Sequence, residues 1–179
     1  MRKLREILND LWKYIDNAKI GLPEEVFEFA SSITPMVNVD LLVRGCNGRI
    51  LLSWRDDEYC GKGWHVPGGI VRFKETREKR IQEVAKKELG TTVTFGKEPL
   101  AIKDIIMNQE IRGHFISFIY DVQVPESYVI DNKGKNVSTP GYLQWHDKLP
   151  KDMVKGQENV YNELVNENII TSCETNINK

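Results

Sequence analysis

The residues best suited to chemistry lie in one short stretch, where a pair of glycines is followed by a helix that carries a carboxylate. Gly68 and Gly69 come directly after residues 64–67, and Glu88 lies near the end of a predicted helix, residues 75–89. Paired glycines let the backbone approach a ligand closely and expose its carbonyl oxygens. A carboxylate beside such a carbonyl offers hard oxygen ligands to Mg²⁺, which commonly uses one or two protein carboxylates and completes its coordination with water and phosphate oxygens. The stretch therefore indicates a site for a metal and a diphosphate.

Without further context this pattern has an ordinary structural explanation. A Gly-Gly pair before a charged helix is usually a turn, and a single Glu on such a helix is usually solvated. The bulk properties are those of one domain, because 179 residues with 40% hydrophobic side chains suffice for a sizeable core. The net charge of −1 does not favour a nucleic-acid or membrane-surface partner.

The cysteines and the apolar segments predict a cytoplasmic protein. Cys46, Cys60 and Cys173 are odd in number and form no CxxC pair, so neither a disulfide framework nor a structural zinc site is expected. The sequence has no apolar run of about 18 residues, which a membrane span would need.

An amphipathic helix is predicted within residues 1–20, because apolar residues recur there at spacings of three and four. They are Leu4, Ile7, Leu8, Leu11, Trp12 and Ile15. This stripe needs a cover, either the rest of the same chain or the second subunit of a homodimer. Residues 21–170 are predicted to form the main domain, and residues 171–179 a polar tail.

The remaining pattern predicts an α/β (α+β) layered domain with mixed strands and interspersed helices. Asn47-Gly48 is a turn pair favoured in tight hairpins, and residues 56–63 are predicted as a loop. Strands are predicted at residues 36–43, 49–55, 92–95, 100–107, 114–124 and 142–145. The helices predicted after the first are residues 23–31, 75–89 and 156–170.

Residues 63–90 (GWHVPGGIVRFKETREKRIQEVAKKELG) resemble the Nudix box, G-x5-E-x7-R-E-U-x-E-E-x-G-U, in which U is a bulky aliphatic residue. Gly69, Glu75, Glu88 and Gly90 fall in register, and the Trp-x-Val-Pro-Gly before them is a familiar Nudix lead-in. The resemblance implies a Nudix fold, a mixed β-sheet sandwiched between helices, here with an added N-terminal amphipathic helix.

Several positions depart from the box. Glu83 stands in place of its Arg, and Val84 and Lys87 replace two metal-binding Glu residues. In an α-helix Glu83 would lie about 140° around from Glu88, so we expect it to pair with Lys79 or Lys87 rather than share the metal. A degenerate box with a single helix Glu is similar to the GDP-mannose mannosyl hydrolases, a branch of the Nudix hydrolases.

Resemblance to this branch covers about residues 25–125 and implies a metal site. The main chain of Gly68 and Gly69 and the carboxylate of Glu88 would bind Mg²⁺, with Mn²⁺ as the alternative. A nucleotide sugar would be the substrate.

The same resemblance implies substrate contacts. Arg55 would bind the diphosphate, where a guanidinium fork gives bidentate hydrogen bonds, and Asp40 would lie near the sugar or the metal-bound water. Arg72, Lys87 and Asn136 are further candidates for substrate binding. The structural alternatives are that Arg55 is a surface charge at a strand end and Asp40 a cross-strand or turn residue.

The general base is left open by the sequence. The mannosyl hydrolases take a Gln ligand and a His base from the loop before the last strand, and residues 132–141, which form that loop here, contain neither. The candidates are His114, at the start of a predicted strand, Asp131, or a hydroxide held by the metal. His65 is expected to be a packing residue, and His146 to flank a helix.

The leading hypothesis is a Mg²⁺-dependent hydrolase that releases a nucleoside diphosphate and a free sugar from a nucleotide sugar resembling GDP-mannose. One alternative is cleavage of the diphosphate to a nucleotide and a sugar phosphate. The other is a non-catalytic module that binds a nucleotide sugar, because Lys87 places a cation where the box has a metal ligand.

Overall fold

The computed structural model describes residues 3–45 and 47–167, so Cys46, Cys173 and the predicted polar tail at residues 171–179 lie outside the described residues. Groups of strands are separated by helices along the described chain, which confirms the predicted α/β (α+β) class. Their order is α1 (Leu4–Trp12), α2 (Glu24–Ile33), β1 (Met36–Val43), β2 (Ile50–Asp57), β3 (Gly61–His65), β4 (Gly68–Ile70), α3 (Arg77–Val84), a π-helix (Ala85–Leu89), β5 (Thr94–Phe95), β6 (Ala101–Ile106), β7 (His114–Gln123), β8 (Leu143–His146) and α4 (Glu158–Glu167).

The larger sheet is mixed and is centred on β1. This strand pairs in parallel with β7 and antiparallel with β4, and β5 and β6 both pair antiparallel with β7. Successive side chains of a strand point to opposite faces, and both Leu41 and Leu42 are almost fully buried. The sheet is therefore covered on both sides at β1.

Helices cover both faces, as expected for the predicted sheet sandwiched between helices. On one face, Leu41 packs in a cluster with Ile81 and Val84 of α3. On the other face, Leu42 packs in a second cluster with Tyr161 of α4. Residues 71–76 connect β4 to α3, and Gly69 lies against Val84 at the end of α3, directly before the π-helix that carries Glu88.

The smaller sheet has the order β3-β2-β8 and is antiparallel. The loop predicted at residues 56–63 is wrong, because these residues form the end of β2, a turn and the start of β3. Gly61, Lys62 and Gly63 have no strand preference of their own. Pairing with β2 holds them extended, since tertiary pairing readily outweighs the intrinsic preference of a residue.

The Asn47-Gly48 turn is present, but the hairpin predicted around it is wrong. Gly48 has a φ of 78° and donates its N–H to the Gly45 carbonyl. Apart from an isolated bridge between Arg44 and Ile50, the flanking strands diverge into different sheets. The turn is therefore a link between the two sheets.

The N-terminal helix α1 leaves much of its apolar stripe exposed, including Leu4, Ile7, Leu8 and Trp12. Packing of this stripe on its own domain is not observed for these four side chains, and the homodimer stays a prediction. Within the part of the chain that the structure describes, no helix is long and apolar enough to cross a membrane.

Candidate functional site

A cavity of about 560 Å³ lies between β4, α3, the β2–β3 hairpin and residues 18–30. Its volume is typical of pockets that hold small-molecule ligands. Seven of the nine predicted site residues line this cavity: Asp40, Arg55, Gly68, Gly69, Arg72, Lys87 and Glu88.

The glycine pair lines the cavity because neither position has room for a side chain. A Cβ at Gly68 would overlap Oδ1 of Asp40 and lie 2.9 Å from the Val39 carbonyl oxygen. A Cβ at Gly69 would lie 2.8 Å from Cγ2 of Val84 on α3. Main chain alone therefore separates the cavity from β1 and α3 at this point.

Glu88 lies in the π-helix that follows α3, and its side chain is 22% exposed. A π-helix shifts the helical phase, and such segments often occur at functional sites. Our assumption of a continuous α-helix was therefore wrong, and Glu83 lines the same cavity as Glu88. Nζ of Lys86 lies 3.8 Å from Oε1 of Glu83, so the partner of Glu83 is Lys86 and not Lys79 or Lys87 as we expected.

His65 also lines the cavity, which the sequence did not indicate. Its side chain is buried at the end of β3, with Nδ1 2.8 Å from the Ser53 carbonyl oxygen and Nε2 3.6 Å from Oε2 of Glu88. The position was expected to be a packing position. The sequence did not show which side chains of β3 face the cavity.

Asp40 is held by protein groups rather than open to a ligand. Its carboxylate accepts hydrogen bonds from Ser117, Tyr161 and Asn38, and the residue is 1% exposed. Burial raises the pKa of Asp40 above its ordinary value, while these three hydrogen bonds act to lower it. Asp40 therefore joins β1, β7 and α4 behind Gly68, as the cross-strand alternative expects, and its place near the sugar or the metal-bound water stays a prediction.

Arg55 projects from β2 and is oriented by Asp57. The guanidinium Nε of Arg55 lies 3.1 Å from Oδ2 of Asp57, and Nη1 donates to Sγ of Cys60 at 3.6 Å. Asp57 also accepts from the backbone N–H groups of Tyr59 and Cys60 in the β2–β3 turn. The turn thus holds the guanidinium at both Nε and Nη1.

Cationic side chains come from several elements to the same cavity. Arg72, Lys87, Arg112 and Lys155 line it together with Arg55. Arg112 was missed, because it lies in an irregular segment that carries no pattern. Its guanidinium stacks over Tyr59 at 3.9 Å from the ring centroid, and its buried Nε has no hydrogen-bond partner among the described residues. An anionic ligand would complement this wall.

Glu75, the first acidic residue of the box, is occupied by a structural pair. Its Oε2 accepts from Nε and Nη2 of Arg80, each at 2.7 Å, and from the backbone N–H of Arg72 at 3.0 Å. The side chains of Glu75 and Arg80 are 6% and 12% exposed. Burial raises the pKa of Glu75, but the bonds from Arg72 and Arg80 outweigh it, so this pKa lies below its ordinary value of 4.5.

Replacing Glu75 by Gln is expected to lower the free energy of unfolding by about 2–3 kcal/mol at pH 7, because it leaves the Arg80 charge buried without a partner. Because the pKa of Glu75 is lower in the folded state than in the unfolded state, its ionised carboxylate stabilises the folded protein above pH 4.5. This stabilisation is lost as the pH falls through the lowered pKa. The difference between the two proteins should therefore shrink below about pH 4. Urea titrations at pH 7 and pH 3 measure it.

Glu163→Gln is the matched control, because Glu163 forms an exposed pair with Lys103 at 3.2 Å. Such pairs contribute about 0–1 kcal/mol. An equal loss of unfolding free energy in the two variants at pH 7 would contradict a stabilising role of the buried Glu75–Arg80 pair. A Glu75→Gln effect of the same size at both pH values would contradict it as well.

His114 and Asn136 lie away from the cavity. His114 begins β7 opposite Ile106 of β6 and lines a separate, shallower pocket. Oδ1 of Asn136 accepts from the backbone N–H of Ser138 and from Oγ1 of Thr139, which closes a surface turn. Asp131, the other candidate base, is exposed and caps a turn at Lys133.

Comparison with solved structures identifies the fold. The structures that the chain resembles include Nudix hydrolases. The MutT protein of Methanosarcina mazei matches with a TM-score of 0.58 and 17% identity, over 76% of this chain and 97% of that one. A UDP-X diphosphatase matches with a TM-score of 0.53 and 16% identity, over 92% of this chain and 79% of that one. The chain therefore has the Nudix fold, and this prediction is confirmed.

Sequence comparison finds relatives as well, among them a glycan biosynthesis protein. The chain is 28% identical over 115 residues to the low-salt glycan biosynthesis protein Agl8 of Haloferax volcanii, which covers 62% of this chain and 73% of that protein. No family model matches the sequence.

Proposed function

We propose that this chain is a metal-dependent Nudix hydrolase of a nucleoside diphosphate sugar. The observation that carries the proposal is that the main chain of Gly68 and Gly69, the carboxylate of Glu88 and the Arg55 guanidinium all line one cavity. These are the groups that a metal and a diphosphate need together.

The residues present fit a hydrated divalent cation. Within residues 3–45 and 47–167, no group of three or more His, Cys, Asp and Glu side chains is placed to hold an ion. Mg²⁺ does not need such a group, because it keeps several waters and binds through one or two carboxylates and the substrate phosphates. Glu88 and the main chain of Gly68 and Gly69 would hold Mg²⁺ or Mn²⁺, which supplies charge neutralisation on the diphosphate.

Charge, shape and the names of similar proteins support this substrate class. Arg55, Arg72 and Lys87 would bind the diphosphate oxygens, and Arg112 lines the same cavity. Tyr59 and Phe115 offer rings for a base or sugar. Agl8 is named for glycan biosynthesis, and the UDP-X diphosphatase is named for a nucleotide-linked substrate. A nucleotide sugar resembling GDP-mannose unites these features.

The bond that breaks is proposed to be the sugar carbon–oxygen bond, which releases a nucleoside diphosphate and a free sugar. Resemblance to the mannosyl hydrolases supports this choice, since Val84 and Lys87 stand where other Nudix boxes have metal-binding Glu residues. The alternative is attack at phosphorus, which the name of the UDP-X diphosphatase supports.

A screen of nucleotide sugars with Mg²⁺ and Mn²⁺ in ¹⁸O-water, followed by ³¹P NMR, tests the proposal. Attack at carbon gives an unlabelled nucleoside diphosphate, whereas attack at phosphorus gives two phosphomonoesters, one of them carrying the label. Unlabelled nucleoside diphosphate is the expected result. Labelled phosphate would establish the alternative reaction, and the absence of any turnover across the screen would overturn the hydrolase.

A binding module is the second candidate, and Lys87 is the observation that favours it. An ammonium group on the cavity wall could hold a phosphate directly and without a metal. Calorimetric titration with GDP-mannose in EDTA distinguishes the two. A binding module keeps its affinity without metal and turns nothing over, whereas the proposed enzyme loses affinity when the metal is removed.

A further inference from the structure

His65 is a buried polar side chain with one nitrogen directed at the cavity. The residue is 6% exposed and lines the cavity at the end of β3, next to Glu88. None of the roles described above requires an imidazole at this position, where a purely apolar side chain would suffice for packing.

The tautomer of the neutral His65 ring follows from its contact with Ser53. Nδ1 lies 2.8 Å from the carbonyl oxygen of Ser53, and a carbonyl oxygen can only accept a hydrogen bond. Nδ1 therefore carries the hydrogen, and in the neutral ring Nε2 has a free lone pair. Metal-binding histidines have this arrangement, because they almost always donate the other ring N–H to a carbonyl or a carboxylate.

The separation between Nε2 of His65 and Oε2 of Glu88 fits two ligands of one ion better than a hydrogen bond. The distance is 3.6 Å, which is too long for a hydrogen bond. Two donor atoms that each lie about 2.1 Å from one cation are roughly 3.0–3.4 Å apart in octahedral or tetrahedral geometry. A shift of a few tenths of an ångström would bring the two atoms to that spacing.

We propose that Nε2 of His65 is a ligand of the divalent cation, together with Glu88 and the main chain of the glycine pair. This inference rests on the proposed function. His65 would add a protein ligand to the site, in which Val84 and Lys87 have replaced two metal-binding Glu residues of the Nudix box. An imidazole in the ligand set favours transition metals such as Fe²⁺, Ni²⁺ or Zn²⁺ over Mg²⁺, which is suited to oxygen ligands. The cation preference of this chain should therefore differ from that of an all-oxygen site.

Pulsed EPR of the Mn²⁺-loaded full chain tests the ligand without relying on activity. Nitrogen modulation from an imidazole is expected in the spectrum, and it should change to the ¹⁵N pattern when the protein is labelled with ¹⁵N-histidine. Labelling needs no substitution, so the test stands even where a variant does not fold. His114→Gln is the matched control, because His114 lies outside the cavity and its variant should keep the signal.

His65→Gln should lose the nitrogen signal and raise the dissociation constant for Mn²⁺ by at least about tenfold. Bound Mn²⁺ without histidine nitrogen coupling would overturn this inference and leave the proposed metal site intact. Persistence of the coupling in His65→Gln would also overturn it. Failure of the wild-type chain to bind Mn²⁺ at all would instead overturn the proposed function.

Discussion

Replacing Glu88 by Gln is expected to lower kcat/KM for the nucleotide sugar by about 10³-fold, because the loss of an anionic metal ligand removes several kcal/mol of charge stabilisation. The change keeps the size of the side chain, and Glu88 is partly exposed, so the fold should be retained. Steady-state kinetics at saturating Mg²⁺ measure the effect. Part of the activity of Glu88→Gln should return at high Mn²⁺ concentration, because weaker metal binding causes part of the loss in kcat/KM.

Glu78→Gln provides the matched control for this experiment. Glu78 lies in the first turn of α3, is exposed and does not line the cavity. Its variant should keep kcat/KM within about twofold, because surface substitutions away from a site have small effects. Full activity in Glu88→Gln, with the same metal dependence as the wild type, would remove the metal-site proposal.

Gly68→Ala is expected to lower both stability and metal affinity. The added Cβ would overlap Oδ1 of Asp40, and Asp40 cannot move cheaply because Ser117, Tyr161 and Asn38 hold its carboxylate. Overpacking of this kind costs about 3 kcal/mol, seen as a Tm lower by roughly 6–12 °C. Calorimetry measures the Tm, and a Mn²⁺ titration measures the accompanying loss of affinity.

Gly96→Ala is the control for the glycine substitution. A Cβ at Gly96 would meet the Glu98 carbonyl oxygen at 3.7 Å, which is an ordinary contact. This variant should change the free energy of unfolding by less than about 1 kcal/mol. A Gly68→Ala protein as stable as Gly96→Ala, with unchanged Mn²⁺ affinity, would show that the close approach of β4 to Asp40 has no energetic consequence.

The strands and helices that carry strong local patterns could be predicted from the sequence. β1 was predicted at residues 36–43 and is observed with the same bounds, because its apolar run is buried on both faces. The helix that carries Glu88 was predicted to end before Gly90, and Gly90 has the left-handed φ of 71° that such a helix end favours. In both cases local preference and tertiary packing agree.

The parts of the site that could not be predicted depend on contacts between distant residues. Tyr161 reaches Asp40 across 121 positions, so the burial of this carboxylate leaves no local signal. His65 was assigned to packing because β3 was only partly recognised. Its orientation toward Glu88 is fixed by pairing of β3 with β2, in which Ser53 lies opposite His65.

The π-helix is a third feature of this kind. An angle of about 100° per residue applies only to an α-helix, and the phase of the π-helical segment altered the position of Glu83 relative to Glu88. Residues 85–89 (AKKEL) have the composition of an ordinary α-helix, so the sequence does not distinguish the two helix types here. Arg80 lies about one turn before Glu83, but it pairs with Glu75 and not with Glu83.

A crystal of the chain soaked with Mn²⁺ and measured with anomalous scattering would show whether the cavity holds the metal. We expect one strong anomalous peak in the cavity, about 2.1–2.2 Å from a carboxylate oxygen of Glu88 and from a main-chain oxygen of the glycine pair. A peak bound elsewhere, or an empty cavity at saturating Mn²⁺, would contradict it.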